Sequence, residues 1–394
     1  MPVKKIPTLM GMNNVKEDAA LEIGGNTPSL FMRDIVNFDI SDRGSANLRK
    51  SGRKVSERVY TKLWQSPLHK DVFGMDHVGM LYKVDPISFS GTELGQVGHD
   101  ANFEVVNNLV YIAGSLGIFT FNGAVLNKIT LDAPGYPFLM KDEGSLSAGQ
   151  YGVAISYLSG DIESELSRTE FISVEDDAGI RVTVPLIKGE GITGVNVYIT
   201  SSNGTELYLY SSYAADAVEV NITAESSGRP ANFQHLSKMP SGQFLTQWQG
   251  RLVTADKNML HFSQSMTYHL TDARYDYVRL PQRISFVVGV EGGLWVGQVD
   301  KVVFLRGTSP DNFTFEVKTA QAPIKGTAIT LDNQDAGEVG QGGGRTALWL
   351  ASNGLCMGSN QGQLIEMQSK HIQGISGQSG RCVGFDGRIT TIIK

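Results

Sequence analysis

A short pattern of residues recurs four times along this chain and limits what it can fold into. Each copy has a turn, a leucine, one or two large apolar residues and then a small residue; the copies span 106–113, 248–255, 290–297 and 344–351. A second apolar stretch follows each copy at a similar distance, at 117–121, 259–263, 301–305 and 362–366. Short apolar runs bounded by turn residues are typical of β-strands, so the pattern predicts recurring pairs of strands.

The spacing of the copies indicates the size of the repeating unit. The anchoring leucines, Leu109, Leu252, Leu294 and Leu348, are separated by 143, 42 and 54 residues. A recurrence of about 40–55 residues with paired strands matches a four-stranded propeller blade. We therefore predict an all-β protein, a β-propeller of about five to seven blades closed by the terminal strand 388–394. An ordinary large β-sandwich is the alternative.

The long first gap is explained by an inserted domain. Residues 180–184 and 195–199 alternate strictly between apolar and polar side chains, and about six such strands fall between 148 and 225. This density of strands and turns is typical of an immunoglobulin-like sandwich, and the absence of cysteines there favours a fibronectin-III-like variant. The predicted organisation is an N-terminal arm (1–30), the first part of the propeller (31–147), the insert (148–225) and the remainder of the propeller (226–394).

Two local predictions concern the N-terminal third. The arm has a possible short helix over 14–22 and either lies along a neighbouring subunit or is an ordered terminus; a β-hairpin follows, with strands in 35–40 and 46–59. Residues 105–127 contain no charged side chain, yet their asparagines and glycines argue against a membrane span. We expect adjacent strands there, with turns at Asn107-Asn108 and Asn122-Gly123.

Charge narrows the possible partners. The formal net charge of −6 excludes a general DNA-coating protein, which needs lysine and arginine to neutralise phosphates, but it is compatible with a conduit for DNA. One segment is basic: Arg43, Arg49, Lys50, Arg53, Lys54, Arg58 and Lys62 stand against Glu57 alone. It is a candidate contact for DNA or for an acidic partner subunit, or else a solvated hairpin face. The lack of interleaved aromatic residues favours a protein contact.

No catalytic or metal-binding pattern emerges. The seven histidines form no H-x-x-x-H motif, the two cysteines, Cys356 and Cys382, lack zinc spacing and are interpreted as reduced packing residues, and no G-x-S-x-G elbow occurs. Three acidic pairs could serve a glycosidase, namely Glu163 with Glu165, Asp176 with Asp177, and Asp272 with Asp276, but each falls in a predicted turn. We expect no enzyme activity, no cofactor and no metal.

A family resemblance adds to this reading. Residues 11–14 lead to 33–39 and then to the basic return 43–53, which resembles the opening of many bacteriophage virion proteins in which a hairpin precedes a propeller. Residues 160–167 and 195–210 are similar to the fibronectin-like insert of that group, and 240–255, 262–265, 281–290 and 303–307 to its later blades.

The resemblance implies a tail nozzle, tail hub or packaged-DNA stabilisation protein of a podovirus-like phage. Such head–tail connecting proteins form a homo-oligomeric ring, often a hexamer, beside the portal, adaptor and tail fibre or spike, and contact DNA transiently before ejection. The chain would then be a virion component assembled in the cytoplasm of the bacterial host. A receptor- or glycan-binding tail protein is the alternative, and a glycan-cleaving enzyme is a third hypothesis.

Overall fold

The computed structural model describes most of the chain. The described residues are 7–24, 28–41, 43–49, 52–67, 69–187, 191–319, 321–331, 344–385 and 388–394. They divide into two compact units, which we call the terminal unit (1–59, 85–90 and 280–394) and the central unit (60–84 and 91–279). Throughout the described residues the regular structure is β-strand apart from two 3-10 turns, Asp18–Ala20 and Pro310–Asn312, and no helix there is long and apolar enough to cross a bilayer.

The chain begins with two small sheets in the terminal unit. Strands β1 (Thr8–Met12), β2 (Glu22–Ile23) and β3 (Ser29–Met32) form a sheet in the order β1-β3-β2, and β4 (Phe38–Ile40) and β5 (Ala46–Leu48) form the antiparallel hairpin expected from sequence. The return strand ends at Leu48, well before residue 59.

The predicted helix over 14–22 was wrong, because only one 3-10 turn forms there. The Asn13 Oδ1 atom accepts hydrogen bonds from the backbone N–H groups of Val15 and Lys16, and this local turn competes with a helix. The Leu21 carbonyl then accepts from the N–H of Phe31, which ties the segment to β3.

The N-terminal arm is bound to the C-terminal part of the same chain through Asn14. Its backbone N–H donates to the His371 carbonyl at 2.9 Å, its Nδ2 donates to the Gln373 carbonyl at 2.8 Å, and its Oδ1 accepts from the Gln373 N–H at 2.8 Å. The rings of Phe31 and His371 stack 5.2 Å apart. The arm is therefore an ordered terminus over these residues.

Two four-stranded antiparallel sheets follow in the central unit. Sheet 1 contains β6 (Lys62–Gln65), β7 (Val72–Met75), β8 (Met80–Val84) and β9 (Gly91–Gln96). Sheet 2 contains β10 (Asn102–Val106), β11 (Leu109–Gly114), β12 (Gly117–Phe121) and β13 (Leu126–Lys128). The expected strands and turns over 105–127 are confirmed, with Asn107 and Asn108 at φ 48° and 65°, as a two-residue hairpin turn requires.

Between sheet 2 and the next repeat, two sheets share one hydrophobic core. Their strands are β14 (Phe138–Leu146), β15 (Gly149–Ser159), β16 (Ile162–Glu163), β17 (Glu170–Val174), β18 (Ala178–Thr183), β19 (Gly194–Thr200), β20 (Leu207–Ala214) and β21 (Glu219–Ile222). The order is β14-β18-β21 in one sheet and β16-β15-β19-β20 in the other, with β17 also paired to β15. We call residues 138–222 the two-sheet region; it begins before the predicted boundary at residue 148.

The later repeats build three more four-stranded sheets. Sheet 3, in the central unit, contains β23 (Gln243–Trp248), β24 (Arg251–Asp256), β25 (Met259–Phe262) and β27 (Tyr277–Arg279), while β22 (Ser237–Lys238) pairs with β26 (Leu270–Thr271). Sheet 4, in the terminal unit, contains β28 (Ile284–Val290), β29 (Gly293–Gln298), β30 (Val302–Arg306) and β31 (Thr314–Thr319). Sheet 5, in the same unit, contains β32 (Ile329–Leu331), β33 (Thr346–Ala351), β34 (Gly354–Gly358) and β35 (Leu364–Glu366).

The four predicted repeats coincide with equivalent strands. Leu109, Leu252, Leu294 and Leu348 lie on the second strand of sheets 2, 3, 4 and 5. The strand assigned to 362–366 is the fourth of sheet 5, not its third, because the glycine-bounded β34 was overlooked. Sheet 1 was recognised only at β8, since its second strand carries Val72 and Phe73 in place of the anchoring leucine.

Neighbouring sheets within each unit pack face to face. Sheets 1 and 2 share a core that includes Phe73, Phe103 and Phe121, and sheets 2 and 3 share one that includes Tyr111 and Leu252. Sheets 4 and 5 are joined by a different set of aromatic rings, Phe286, Trp295, Phe304 and Trp349. In all three cases the apolar face of one sheet is covered by the next four-stranded sheet along the chain.

The last strands form a hairpin of their own. Strands β36 (Gly380–Phe385) and β37 (Arg388–Ile393) pair from Gly380 opposite Ile393 to Phe385 opposite Arg388. Among the described strands β37 pairs with β36 alone, so the expected pairing of the terminal strand with the first blade is not found there. A local hairpin is favoured because closing a short loop costs less entropy than joining distant strands.

The contact between sheets 4 and 5 depends on a glycine. A Cβ atom at Gly358 would lie 2.3 Å from the Trp295 ring, whose Nε1 donates to the Ser359 carbonyl at 2.8 Å. We expect Gly358→Ala to lower the free energy of unfolding by about 1–3 kcal/mol through overpacking, measured by urea denaturation. Gly52→Ala is the control, because a Cβ there meets nothing within 4 Å. Equal stability of the two variants would contradict this account of the contact.

Candidate functional site

The basic residues singled out by the sequence lie on and after the β4–β5 hairpin. Arg43 is in its turn and Arg49 follows β5, whereas Arg53, Lys54 and Arg58 are in the irregular stretch 52–59. Those five side chains are exposed, and Lys50 lies outside the described residues. The hairpin thus brings Arg43 and Arg49 onto one element, and the other three follow along the chain.

Part of this positive charge is already paired. The Arg49 Nε atom lies 2.6 Å from Asp39 Oδ1, and Lys54 pairs with Glu57. Both pairs are solvent-exposed, so each contributes at most about 1 kcal/mol to stability. Arg43 and Arg53 have no ion-pair partner among the described residues. The segment therefore keeps a surplus of positive charge available to a partner.

The hairpin and the stretch after it also carry exposed apolar side chains, which were not predicted from the sequence. Phe38 and Leu48 face each other across the hairpin and are 43% and 70% exposed. Val55 and Val59 are 48% and 78% exposed. Exposed apolar side chains among charged residues are typical of protein contacts, whereas the phosphate backbone of DNA offers no apolar surface to bury them. The alternation over 35–40 indicates a strand with one apolar face, but the sequence does not show whether another element covers that face.

The first acidic candidate, Glu163, is held in a hydrogen-bond network in the central unit. Its Oε1 atom accepts from Ser156 Oγ at 2.6 Å, Asn196 Nδ2 at 2.6 Å and Tyr198 OH at 2.7 Å, and Oε2 accepts from Arg229 Nη2 at 3.1 Å. Burial, and secondarily the Glu163 carboxylate, raises the pKa of Tyr198. Four donors occupy this carboxylate, so its evident role is to join strands β15, β16 and β19.

Three of the other acidic candidates, Asp272, Asp276 and Asp176, also have structural partners. Arg274 donates to both oxygens of Asp272, at 2.9 and 2.7 Å, and lowers its pKa. Asp276 accepts from Arg251 at 3.1 Å and from the Asp272 N–H at 2.9 Å. Asp176 Oδ1 accepts from the Ala148 N–H at 2.7 Å.

These contacts do not resemble a glycosidase site. A catalytic acid needs a raised pKa, whereas the hydrogen bonds from Arg274 hold the pKa of Asp272 below its usual value. In the part of the chain that the structure describes, no three His, Cys, Asp or Glu side chains gather as a metal site. Burial raises the pKa of the Cys356 thiol to about 12, as suits a packing residue.

The central unit contains a shallow cavity of about 340 Å³ beside this network. Its lining combines Phe233, Leu236 and Leu270 with polar groups, which are Asp161, Glu163, Asn232, Gln264, Ser265, Thr267 and His269. Burial lowers the pKa of His269, so this ring favours its neutral form. A cavity of this size, with both apolar and hydrogen-bonding groups in its lining, can hold a small hydroxylated ligand.

The Glu163 network can be tested by removing one hydroxyl. We expect Tyr198→Phe to lower the free energy of unfolding by about 1–3 kcal/mol, because a buried hydrogen bond to a charged group is lost. Tyr208→Phe is the control: its hydroxyl donates to Glu206 at 2.7 Å in an exposed position, and we expect a change within about 0.5 kcal/mol. Thermal or urea unfolding measures both, and equal losses would show that the network does not stabilise the fold.

Comparison with known proteins yields structural likeness alone. No protein-family model and no curated protein matches the chain. Among solved structures, BBS1N in its complex with ARL6DN has a TM-score of 0.35 at 11% identity, covering 86% of this chain and 90% of that one. The β-propeller domain of Cps50 (Swd1) from Myceliophteria thermophila has a TM-score of 0.32 at 8% identity, covering 86% and 97%. BamB from Moraxella catarrhalis has a TM-score of 0.24 at 12% identity, covering 82% and 88%. Because these TM-scores lie below 0.5, the likeness does not by itself establish a common architecture.

Proposed function

We propose that this protein is a non-enzymatic structural component of a short-tailed bacteriophage virion. It assembles into a homo-oligomeric ring, as a tail nozzle, tail hub or head–tail connecting protein, and lines or closes the channel through which DNA leaves. The observation that carries the proposal is the exposed β4–β5 hairpin with its basic continuation, where Phe38, Leu48, Val55 and Val59 lie uncovered among cations. Such a surface is suited to a partner subunit.

The proposed architecture is a β-propeller with an insert. Five four-stranded sheets, packed on their chain neighbours within each unit, have the strand number and order of blades. The two-sheet region follows sheet 2 and would be the fibronectin-like insert. A propeller suits a ring component because its blades give a stiff disc with partner-binding loops on two faces.

The proposed role in DNA retention rests on charge and on the family resemblance. A chain with net charge −6 does not attract phosphates overall, so DNA can slide along its assembled ring. The engaged carboxylates of the central unit support a role without covalent chemistry. Portal, adaptor and tail fibre or spike proteins are the proposed neighbours.

Assembly is the first property to measure. We expect the purified chain to form a discrete oligomer with cyclic symmetry, seen by sedimentation velocity and by single-particle imaging, because the exposed apolar side chains are covered only in an assembly. The control is the same measurement with portal and adaptor proteins added, which supplies a template for the ring. A chain that stays monomeric under both conditions would contradict the proposed function.

A second candidate function, glycan binding by a receptor-binding tail protein, is favoured by the cavity near Glu163. It predicts binding to a panel of bacterial surface polysaccharides that falls at least about tenfold in Asn232→Ala, because an amide in a sugar site contributes through hydrogen bonds. Asn127→Ala, on the exposed side of β13, is the control. Absence of binding to the whole panel, or equal binding by both variants, would exclude this candidate.

A further inference from the structure

We infer that the β4–β5 hairpin and the basic segment 43–59 dock onto the two-sheet region of a second copy of this chain. The inference rests on the proposed function, since it names the surfaces that would build the ring. It is carried by exposed apolar side chains on both surfaces, by strand edges that are unpaired among the described residues, and by opposite charge.

The first surface is a two-stranded sheet whose turn contacts β1, where the Leu9 N–H donates to the Gly44 carbonyl at 3.1 Å, and whose apolar cross-strand pair is exposed. Strands β4 and β5 pair only with each other among the described strands, so each has a free outer edge. Phe38 and Leu48 form one cross-strand pair, and both are exposed. A two-stranded hairpin with an exposed apolar pair is marginal in isolation. Docking would bury the pair and satisfy the free edges.

The second surface is the outer face of the sheet β14-β18-β21. Leu139 packs toward the core, so its neighbours Phe138 and Met140 point to the opposite face, where they are 65% and 50% exposed. The register places Phe138 beside Thr183 and Met140 beside Arg181. Strand β14 ends the strand order, so one of its edges is unpaired among the described strands. Exposed apolar side chains on a free edge strand are a docking site or an aggregation hazard.

Charge identifies the occupant as another copy. The basic segment 43–59 has six cations and one anion, a net charge of +5. The three strands of the second surface carry three acidic and two basic side chains, and the whole two-sheet region around them carries thirteen acidic and four basic side chains, a net charge of −9. Opposite charge speeds encounter and disfavours wrong pairings. The DNA backbone would supply negative charge for the cations, but it has no apolar surface that could bury Phe38 and Leu48. A protein partner therefore fits the hairpin better.

The two surfaces differ, and this sets the type of assembly. An interface between unlike patches is heterologous, and each copy uses one patch to bind the copy ahead and the other to bind the copy behind. If the rotation between copies closes, the product is a ring. A face-to-face dimer would instead require one patch to bind itself, which two basic hairpins disfavour.

A charge swap tests the inference in the full-length chain. The basic variant carries Arg43→Glu and Arg53→Glu, which break no ion pair among the described residues. The acidic variant carries Glu219→Lys in β21, an exposed residue opposite Thr183 and therefore on the same face as Phe138. Each variant alone is expected to assemble at least about tenfold more weakly than the unmodified chain, because like charges then face each other. Sedimentation velocity measures assembly, and circular dichroism confirms that the variants are folded.

Restoring assembly by pairing the two variants distinguishes a lost contact between the surfaces from a general loss of folding. Mixing the two variants, or combining all three substitutions in one chain, pairs opposite charges again and is expected to restore assembly. The control carries Lys257→Glu and Lys370→Glu, the same change of charge at exposed positions outside both surfaces, and is expected to assemble normally.

The remaining outcomes overturn the inference in distinguishable ways. Normal assembly of both variants would overturn the docking surfaces and leave the ring intact, whereas a monomeric unmodified chain would overturn the proposed function itself. Loss of assembly without restoration in the mixture would show that the two surfaces do not meet. If the basic variant assembles normally but loses binding to a 30-base-pair DNA duplex in a gel-shift assay, the hairpin is a DNA contact and not a subunit contact.

Discussion

The burial of sheet faces against neighbouring sheets is the constraint on which the described structure depends. Strands β28 and β29 are buried along their whole length, because each face of sheet 4 is too apolar for solvent. Such a sheet is stable only with a cover, and sheet 5 supplies one through Trp295 and Trp349. In the central unit, Phe73 and Leu252 do the same for the sheets they join. Charged side chains and contacts with partners are then confined to loops, hairpins and outer strands.

Much of this architecture was predictable because short sequence patterns indicate its strands and turns. A leucine followed by bulky residues marks the buried second strand of a sheet, as at Leu252 and Leu294, and paired asparagines mark a hairpin turn. Most of sheet 1 was not predicted, because its strands are short and its second strand begins with Val72 and Phe73 and lacks the anchoring leucine. The strand β14 escaped for another reason: as an edge strand it alternates exposed apolar, charged and glycine residues, so it lacks a strand-like pattern.

The candidate surface was only half visible in the sequence. A surplus of cations is a property of composition, so the basic segment 43–59 could be recognised directly. The exposure of Phe38 and Leu48 is a property of packing, because an apolar residue in a strand is expected to be covered. The Glu163 network likewise required the structure, since its donors come from positions far apart, including Ser156, Asn196 and Arg229. Sequence reasoning could exclude known catalytic motifs but could not find these partners.

The link at Asn14 has a consequence for the order of events during synthesis. Its partners, His371 and Gln373, are translated more than 350 residues later, so Asn14 lacks these hydrogen bonds while most of the chain emerges from the ribosome. The central unit is nearly continuous in sequence and can fold in that interval, whereas the terminal unit cannot be completed until the final residues are free. Contacts between such distant residues form slowly. A truncated or stalled product would therefore leave Asn14 and the Phe31 ring without these contacts, which would make this part of the chain easier for proteases to recognise.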